Sequence, residues 1–121
     1  MNEKKPNIVR DKSFAFAVRI VSLYKYLCSD KKEFVLSKQL LRSGTSVGAN
    51  VREAVNAESK KDFIHKLAIA QKECDESIYW LDLLVETNYL NKKEGENITN
   101  DAIELLKIIK SIIISSKQKL K

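Results

Sequence analysis

Glu73 and Glu76 are the carboxylates whose spacing could support metal or proton chemistry, because residues three apart lie on the same side of a helix. A di-iron site between helices also needs two Glu-x-x-His pairs that face inward. The chain has one histidine, His65, and no Glu-x-x-His sequence. We therefore favour ion pairs between these glutamates and Arg42 or Arg52, and the metal or proton site is the alternative.

Other catalytic arrangements are missing from the sequence. A single histidine cannot complete a nucleophile, base and orienting group without further assumptions. Gly44 and Gly48 lack the lysine and the strand of a phosphate-binding loop. Cys28 and Cys74 are far apart and do not form a Cys-x-x-Cys motif. We predict a protein that is not an enzyme and that uses no cofactor and no metal.

Basic residues recur along one side of the second predicted helix. Thr45 and Ala49 lie between them, and such small side chains would let a phosphate backbone come close. The alternative is a solvated or ion-paired helix face. The candidate nucleic-acid contacts are Lys38, Arg42, Arg52, Lys60 and Lys61.

Charge is unevenly distributed along the chain, which has a formal net charge of +6. Residues 73–104 hold nine acids and two bases, whereas residues 105–121 hold five bases and no acid. Residues 1–60 hold 12 bases and 6 acids. Basic regions of this kind attract phosphate backbones or acidic partners.

Length and composition predict one globular domain, residues 1–121. The only proline is Pro6, which disfavours folds built from many turns. The longest apolar run, residues 14–18, is too short to span a membrane, and no signal peptide is apparent. We expect a cytoplasmic protein.

Hydrophobic periodicity predicts four helices joined by short connections, and hence an all-α fold. Short connections favour an antiparallel up-down-up-down four-helix bundle. Ser59 and Asn91 are the predicted N-caps of the third and fourth helices. The predicted helices cover residues 11–28, 33–57, 60–88 and 92–116, with an N-terminal extension at 1–10 and a basic tail at 117–121.

The first predicted helix has an apolar arc of roughly 200° on a helical wheel, which is wider than one core-facing stripe requires. We therefore expect it to be buried twice, once in its own bundle and once against other copies of the chain. The residues that we assign to the oligomer interface are Phe16, Ile20, Leu23 and Leu27.

The second predicted helix contains two glycines, Gly44 and Gly48, that either let a neighbouring helix approach closely or mark a loop. The unbroken apolar face from Leu36 to Ala54 favours one continuous helix. Asn50, beside that face, either fixes helix register or oligomeric state, or is a partly solvated polar residue.

The run SKQLLRSGTSVGANVREA, residues 37–54, closely resembles the signature of the four-helix bundle proteins encoded in 23S rRNA intervening sequences, once labelled S23 ribosomal proteins. ESKKDF at 58–63, KEC at 72–74 and YWL at 79–81 match in the same order. The family is similar to the accessory variability protein of diversity-generating retroelements. Those relatives form a pentameric ring of bundles with a basic surface, and bind nucleic acid and a reverse transcriptase.

The resemblance implies a homo-pentameric ring and supplies no catalytic site. It assigns a structural role to the residues of the family motifs, namely Ser43, Gly44, Ser46, Gly48, Asn50, Glu53, Glu73 and Trp80.

Together these observations predict a non-enzymatic homo-oligomer that binds RNA or DNA through basic surfaces. The main alternative is a protein-interaction module, an adaptor or accessory subunit, that does not bind nucleic acid directly. A metal-dependent bundle enzyme is the third interpretation, and it requires carboxylates that point inward.

Overall fold

The computed structural model describes residues 4–120, and the side chains of residues 7–120. This part of the chain is all-α and contains four helices and no strand. None of these helices combines the length and hydrophobicity needed to cross a membrane. The helices are α1 (Lys4–Ser29), α2 (Leu36–Val55), α3 (Lys60–Glu86) and α4 (Lys92–Leu120).

The four helices pack around one hydrophobic core. Helix α2 lies against α1 and α3, and α4 lies against α3 and, less extensively, against α1. The apolar face predicted for α2 is buried from Leu40 to Ala54, whereas Leu36 is partly buried and packs against the core from its edge. At the start of α3 the buried residue is Ile64, and Phe63 packs against the core from its edge.

Helix α1 begins earlier than the sequence predicted. Residues 4–10, assigned to an N-terminal extension, are helical, whereas residues 1–3 of that extension lie outside the described residues. Val9 and Ser13 are each 1% exposed, so both belong to the core. Together with Phe16 and Ile20 they continue the alternating steps of four and three that define a core-facing side.

Helix α4 extends beyond its predicted end at residue 116. The basic tail predicted at 117–121 is helical as far as Leu120, and residue 121 lies outside the described part. Ser116 is buried at 7% exposure, so the last turns still pack on the core. Lys117 and Lys119 stand in the final turn, where positive charge interacts favourably with the helix dipole.

Helix α2 begins at Leu36, three residues later than predicted, because Glu33 caps the helix instead of belonging to it. The Glu33 carboxylate accepts hydrogen bonds from the backbone N–H groups of Val35, Leu36 and Ser37 at 3.2, 2.9 and 2.7 Å. Burial alone would raise the pKa of Glu33, but these bonds outweigh it and the pKa is lowered.

Both caps predicted from the sequence are confirmed. Ser59 Oγ accepts a hydrogen bond from the backbone N–H of Asp62 at 3.1 Å, which satisfies one of the unpaired donors at the start of α3. Asn91 Oδ1 accepts from the N–H of Glu94 at 2.8 Å at the start of α4.

Helix α2 is continuous through both glycines, as its unbroken apolar face predicted. Gly44 lies on Ile20, and a Cβ atom at this position would be 2.8 Å from Ile20 Cγ1. A Cβ at Gly48 would be 3.3 Å from the Ser13 carbonyl oxygen. The glycines therefore allow α1 and α2 to approach closely.

Candidate functional site

The four residues assigned to an oligomer interface are core residues of the single chain, so that assignment is wrong. Phe16, Ile20, Leu23 and Leu27 are only 2%, 0%, 8% and 0% exposed. A helical wheel shows that α1 has two apolar sides, but it does not show which side faces the core. The buried side is the longer one, because it gains Val9 at its N-terminal end.

The other apolar side of α1 is the one left in water. Phe14, Val18 and Val21 are exposed at 60%, 51% and 36%, and they follow one another at steps of four and three. Helix α1 therefore has the predicted apolar surface outside the core. This surface lies on the side opposite to the residues that we assigned to the oligomer interface.

Arg42 connects α2 to α3 through the two glutamates predicted to pair with it. Its Nη1 atom is 3.3 Å from Glu73 Oε1, and its Nη2 atom is 2.6 Å from Glu76 Oε2. The indole N–H of Trp80 also donates to Glu76 Oε2, at 3.1 Å. The Glu73 side chain is 12% exposed, so a buried carboxylate is compensated by Arg42. Both carboxylates that pair with Arg42 belong to the same chain, so the charge of Arg42 is compensated within the protomer.

The remaining candidate contacts for nucleic acid are Lys38, Arg52, Lys60 and Lys61, and all four are exposed. Among the side chains 7–120, no carboxylate lies within ion-pair distance of any of them. Lys38 and Arg52 are 14 positions apart on α2, which corresponds to about 21 Å along the helix axis. Lys60 and Lys61 are the first two residues of α3.

Most polar residues of the family motif are used within the chain. Ser43 Oγ lies 2.9 Å from Ser77 Oγ in the core between α2 and α3. Asn50 Nδ2 donates to the backbone oxygen of Ser46 at 2.9 Å and to its Oγ at 3.1 Å, so this amide is satisfied on its own helix.

A second ion pair joins α2 to α3 within the motif. Glu53 Oε1 lies 2.8 Å from Lys66 Nζ, and the hydrogen bond that Lys66 donates to Glu53 raises the pKa of Lys66.

A groove lies between α1 and α2, and it was not among the features predicted from the sequence. It has a volume of about 320 Å³, and its apolar wall includes Phe14, Ala17 and Ala49. Arg10 and Arg52 line the same groove. The signal that could have indicated it is the spacing of Arg10 and Phe14, one helical turn apart on the α1 side that faces away from the core.

The outer side of α3 differs in charge from that of α2. Asp75, Asp82 and Glu86 are exposed there, and Tyr79, at 57% exposure, lies among them at helical spacing. Three exposed carboxylates of the acidic stretch therefore lie on one side of α3.

The described residues contain no group of three or more His, Cys, Asp or Glu side chains placed to hold a metal ion. His65 is exposed. Both cysteines are reduced, and Cys74 is buried, with its thiol donating to the Ala102 carbonyl at 3.3 Å. Burial, followed by the charge of Asp75, raises the pKa of Cys74 to about 12.

The comparisons with known proteins agree with this fold. A family model described as 23S rRNA-intervening sequence protein matches residues 5–111. The crystal structure of a protein of unknown function from the S23 ribosomal protein family of Bacteroides thetaiotaomicron is 58% identical. That match covers 90% of this chain and 97% of the other, with a TM-score of 0.89. None of the curated proteins compared with the chain matches it.

Proposed function

The chain belongs to the 23S rRNA-intervening sequence protein family, and from this premise we propose that it is a non-enzymatic, homo-oligomeric four-helix bundle that binds RNA or DNA. The observation that supports nucleic-acid binding is a set of four exposed bases without an ion-pair partner among side chains 7–120, namely Lys38, Arg52, Lys60 and Lys61. Arg42 is left out of this set because Glu73 and Glu76 compensate its charge.

Binding of this kind is directed at phosphates and depends strongly on salt. Each phosphate neutralised by a lysine or arginine releases condensed counterions, so affinity falls as salt concentration rises. If one copy engages four phosphates of duplex DNA, log K should fall with log salt at a slope of about −3.6. Sequence preference should be weak, because phosphate contacts position a protein without reading bases.

The test compares two charge-reversed variants of equal net charge by fluorescence anisotropy with a structured RNA and a duplex DNA at low salt. In the first, Lys38, Arg52, Lys60 and Lys61 are replaced by Glu. In the control, four exposed lysines elsewhere are replaced by Glu, namely Lys25, Lys31, Lys93 and Lys110. The first variant should lose binding and the control should keep most of it. Absence of binding by the wild-type protein, or equal losses in both variants, would contradict the proposal.

The antiparallel up-down-up-down arrangement is part of the proposal, and the order of the contacts supports it. Gly44 lies on Ile20 whereas Gly48, further along α2, lies on Ser13, which is earlier in α1. Between α2 and α3, Arg42 pairs with Glu76, whereas Glu53 pairs with Lys66. As the residue number increases along one helix, the number of its contact residue on the next helix decreases, as expected for antiparallel neighbours.

Assembly into a homo-oligomer, a pentameric ring as the family resemblance implies, is supported by apolar side chains that one copy leaves in water. Val18 and Val21 on α1 are two of them, and Phe34 and Val35 before α2 are exposed at 58% and 71%. Multi-angle light scattering should give five times the 13.9-kDa chain mass. Val18→Glu should lower this mass, whereas Ile114→Glu, at a residue of 59% exposure on α4, should not. A wild-type monomer would contradict assembly.

The second candidate function is a protein-interaction module that does not contact nucleic acid. The observation that favours it is the exposed acidic side of α3, with Tyr79 among Asp75 and Asp82. Affinity capture before and after nuclease treatment separates the two candidates. A partner protein retained after nuclease treatment, with no nucleic acid recovered before it, would favour this second function.

A further inference from the structure

The groove between α1 and α2 combines an aromatic ring with two guanidinium groups. Phe14 is 60% exposed, more than any other aromatic side chain of the described residues. Arg10 precedes it by one turn of α1, and Arg52 reaches the same groove from α2. At about 320 Å³, the volume is at the lower end of the range for small-molecule sites.

The shape of the groove follows from the close approach of the two helices. Gly48 lies on the Ser13 carbonyl, and Ala49 follows it on α2, so this helix has no large side chain opposite Phe14. The ring of Phe14 therefore stands beside a shallow apolar wall and keeps much of its surface in water.

The two guanidinium groups lie toward one end of the groove. Ser13 of α1 is opposite Gly48 of α2, and Arg10 and Arg52 are each about one turn away from this contact, in opposite sequence directions. Arg10 has Asp11 nearby, with 3.4 Å between Arg10 Nε and the Asp11 carboxylate. This end of the groove carries more positive than negative charge.

A ligand that matches these features has a flat apolar part and an anionic group within a short reach of it. An unpaired nucleotide has both, because its base offers a face for stacking and its phosphate offers the charge. A base inside a duplex is stacked on its neighbours and cannot reach Phe14 without leaving them.

We propose that this groove holds an unpaired base on Phe14 while Arg10 and Arg52 contact the adjacent phosphate, so that the protein prefers single-stranded segments or loops to duplex. This inference rests on the proposed nucleic-acid binding and deepens it. In a ring the contact is heterologous, so Arg10 and Arg52 of one copy would meet a different surface of the next copy, and a second copy in the groove is an alternative that the test below separates.

The experiment measures binding of a fluorescent single-stranded 12-mer and of the same 12-mer as a duplex. Phe14→Leu keeps an apolar side chain but removes the ring, and Tyr79→Leu is the matched control at 57% exposure on α3. Phe14→Leu should weaken single-strand binding about tenfold, as expected for the loss of one stacked base. It should leave duplex binding and the salt slope unchanged, because no phosphate contact is removed.

Arg52→Gln supplies the complementary result. It should weaken binding of both oligonucleotides and reduce the magnitude of the salt slope by about 1, because one phosphate contact is lost. Tyr79→Leu should change neither affinity by more than a factor of about two.

Three outcomes would overturn the base site. They are an unchanged single-strand affinity in Phe14→Leu, an equal loss for single strand and duplex, and a lower mass of Phe14→Leu in light scattering. The last would show that a second copy covers the groove. Failure of the proposed function looks different, because the wild-type protein would then bind neither oligonucleotide.

Discussion

The hydroxyl oxygens of Ser43 and Ser77 lie 2.9 Å apart, and both side chains are fully buried between α2 and α3. Each hydroxyl has a second acceptor on its own helix. For Ser77 this is the Glu73 carbonyl at 2.9 Å, and for Ser43 it is the Leu40 carbonyl at 3.4 Å. Two small polar side chains thus connect the helices without leaving a buried hydrogen-bonding group unpaired.

Replacement of these serines by alanine should give non-additive losses of stability. Ser77→Ala leaves Ser43 with only its long 3.4 Å bond, so we expect a loss of about 1–2 kcal/mol. Ser43→Ala leaves the shorter bond of Ser77 intact and should cost about 1 kcal/mol or less. The double variant should lose less than the sum of the two, as measured by urea unfolding. Strictly additive losses would show that the two hydroxyls do not interact.

Gly44→Ala should destabilise the protein although alanine favours helices over glycine by about 1 kcal/mol. The new Cβ would lie 2.8 and 2.9 Å from the two Cγ atoms of Ile20, and relief of such overpacking typically costs about 1–3 kcal/mol. Thermal and urea unfolding measure the difference. In an Ile20→Ala background, which lacks both Cγ atoms, Gly44→Ala should be neutral or stabilising, and an equal cost in the two backgrounds would refute the steric explanation.

Glu33→Gln should destabilise the protein near neutral pH, because a neutral amide is a poorer acceptor for three backbone N–H groups than a carboxylate. We expect a loss of about 1–2 kcal/mol, comparable to the loss of a helix cap. The lowered folded-state pKa of Glu33 means that its contribution is present above the unfolded pKa and is lost as pH falls through the folded pKa. The difference between wild type and variant should therefore shrink on acidification.

Glu58→Gln is the matched control for this measurement, since Glu58 is an exposed carboxylate before α3. It should have little effect on the unfolding free energy at any pH. A Glu33→Gln difference that stays constant between pH 7 and pH 3 would contradict the role of the charged cap.

The two cysteines should differ in reactivity toward a thiol reagent at pH 8. Burial raises the pKa of Cys74 to about 12 and leaves its side chain 0% exposed, so folded Cys74 should react very slowly. Cys28 is partly exposed and should react first. With Ellman's reagent, Cys28→Ser should give almost no prompt colour and Cys74→Ser should react like the wild type. Prompt modification of Cys74 would indicate that α3 and α4 separate readily.

Local signals in the sequence were sufficient for the elements that obey simple patterns. The caps at Ser59 and Asn91 were predicted from capping residues at the helix starts, and the core face of α2 was predicted because that helix has one apolar side. Ion pairs of Glu73 and Glu76 with Arg42 or Arg52 were also predicted, from carboxylates three positions apart and bases on the neighbouring helix, and Arg42 is the partner.

The orientation of α1 could not be predicted in the same way. Its two sides, represented by Phe16 and Phe14, are both apolar, and the choice between them depends on which side extends further along the helix. If Ser13 is counted as a core residue, the alternating steps of four and three residues extend back from Phe16 to Val9. That pattern predicts both the side of α1 that faces the core and the earlier start of the helix.

The capping role of Glu33 and the presence of the groove could not be predicted from local sequence, because both depend on tertiary geometry. A glutamate that caps a helix from outside its first turn looks, in sequence, like the first residue of that helix. The groove requires Arg10 and Arg52, 42 positions apart, to line the same cavity where Gly48 admits the neighbouring helix. The spacing of Arg10 and Phe14 is a local signal of the groove, but it does not identify Arg52 as the second arginine.

The bases of α2 and the carboxylates in the C-terminal half of α3 are unevenly distributed, which gives each protomer an electric dipole. Lys38 and Arg52 stand on one helix, whereas Asp75 and Asp82 stand on another. In the non-uniform field around a polyanion such a dipole experiences a torque, which turns an approaching molecule before it makes contact. The carboxylates of α3 would then increase the fraction of productive encounters while never touching the polyanion themselves.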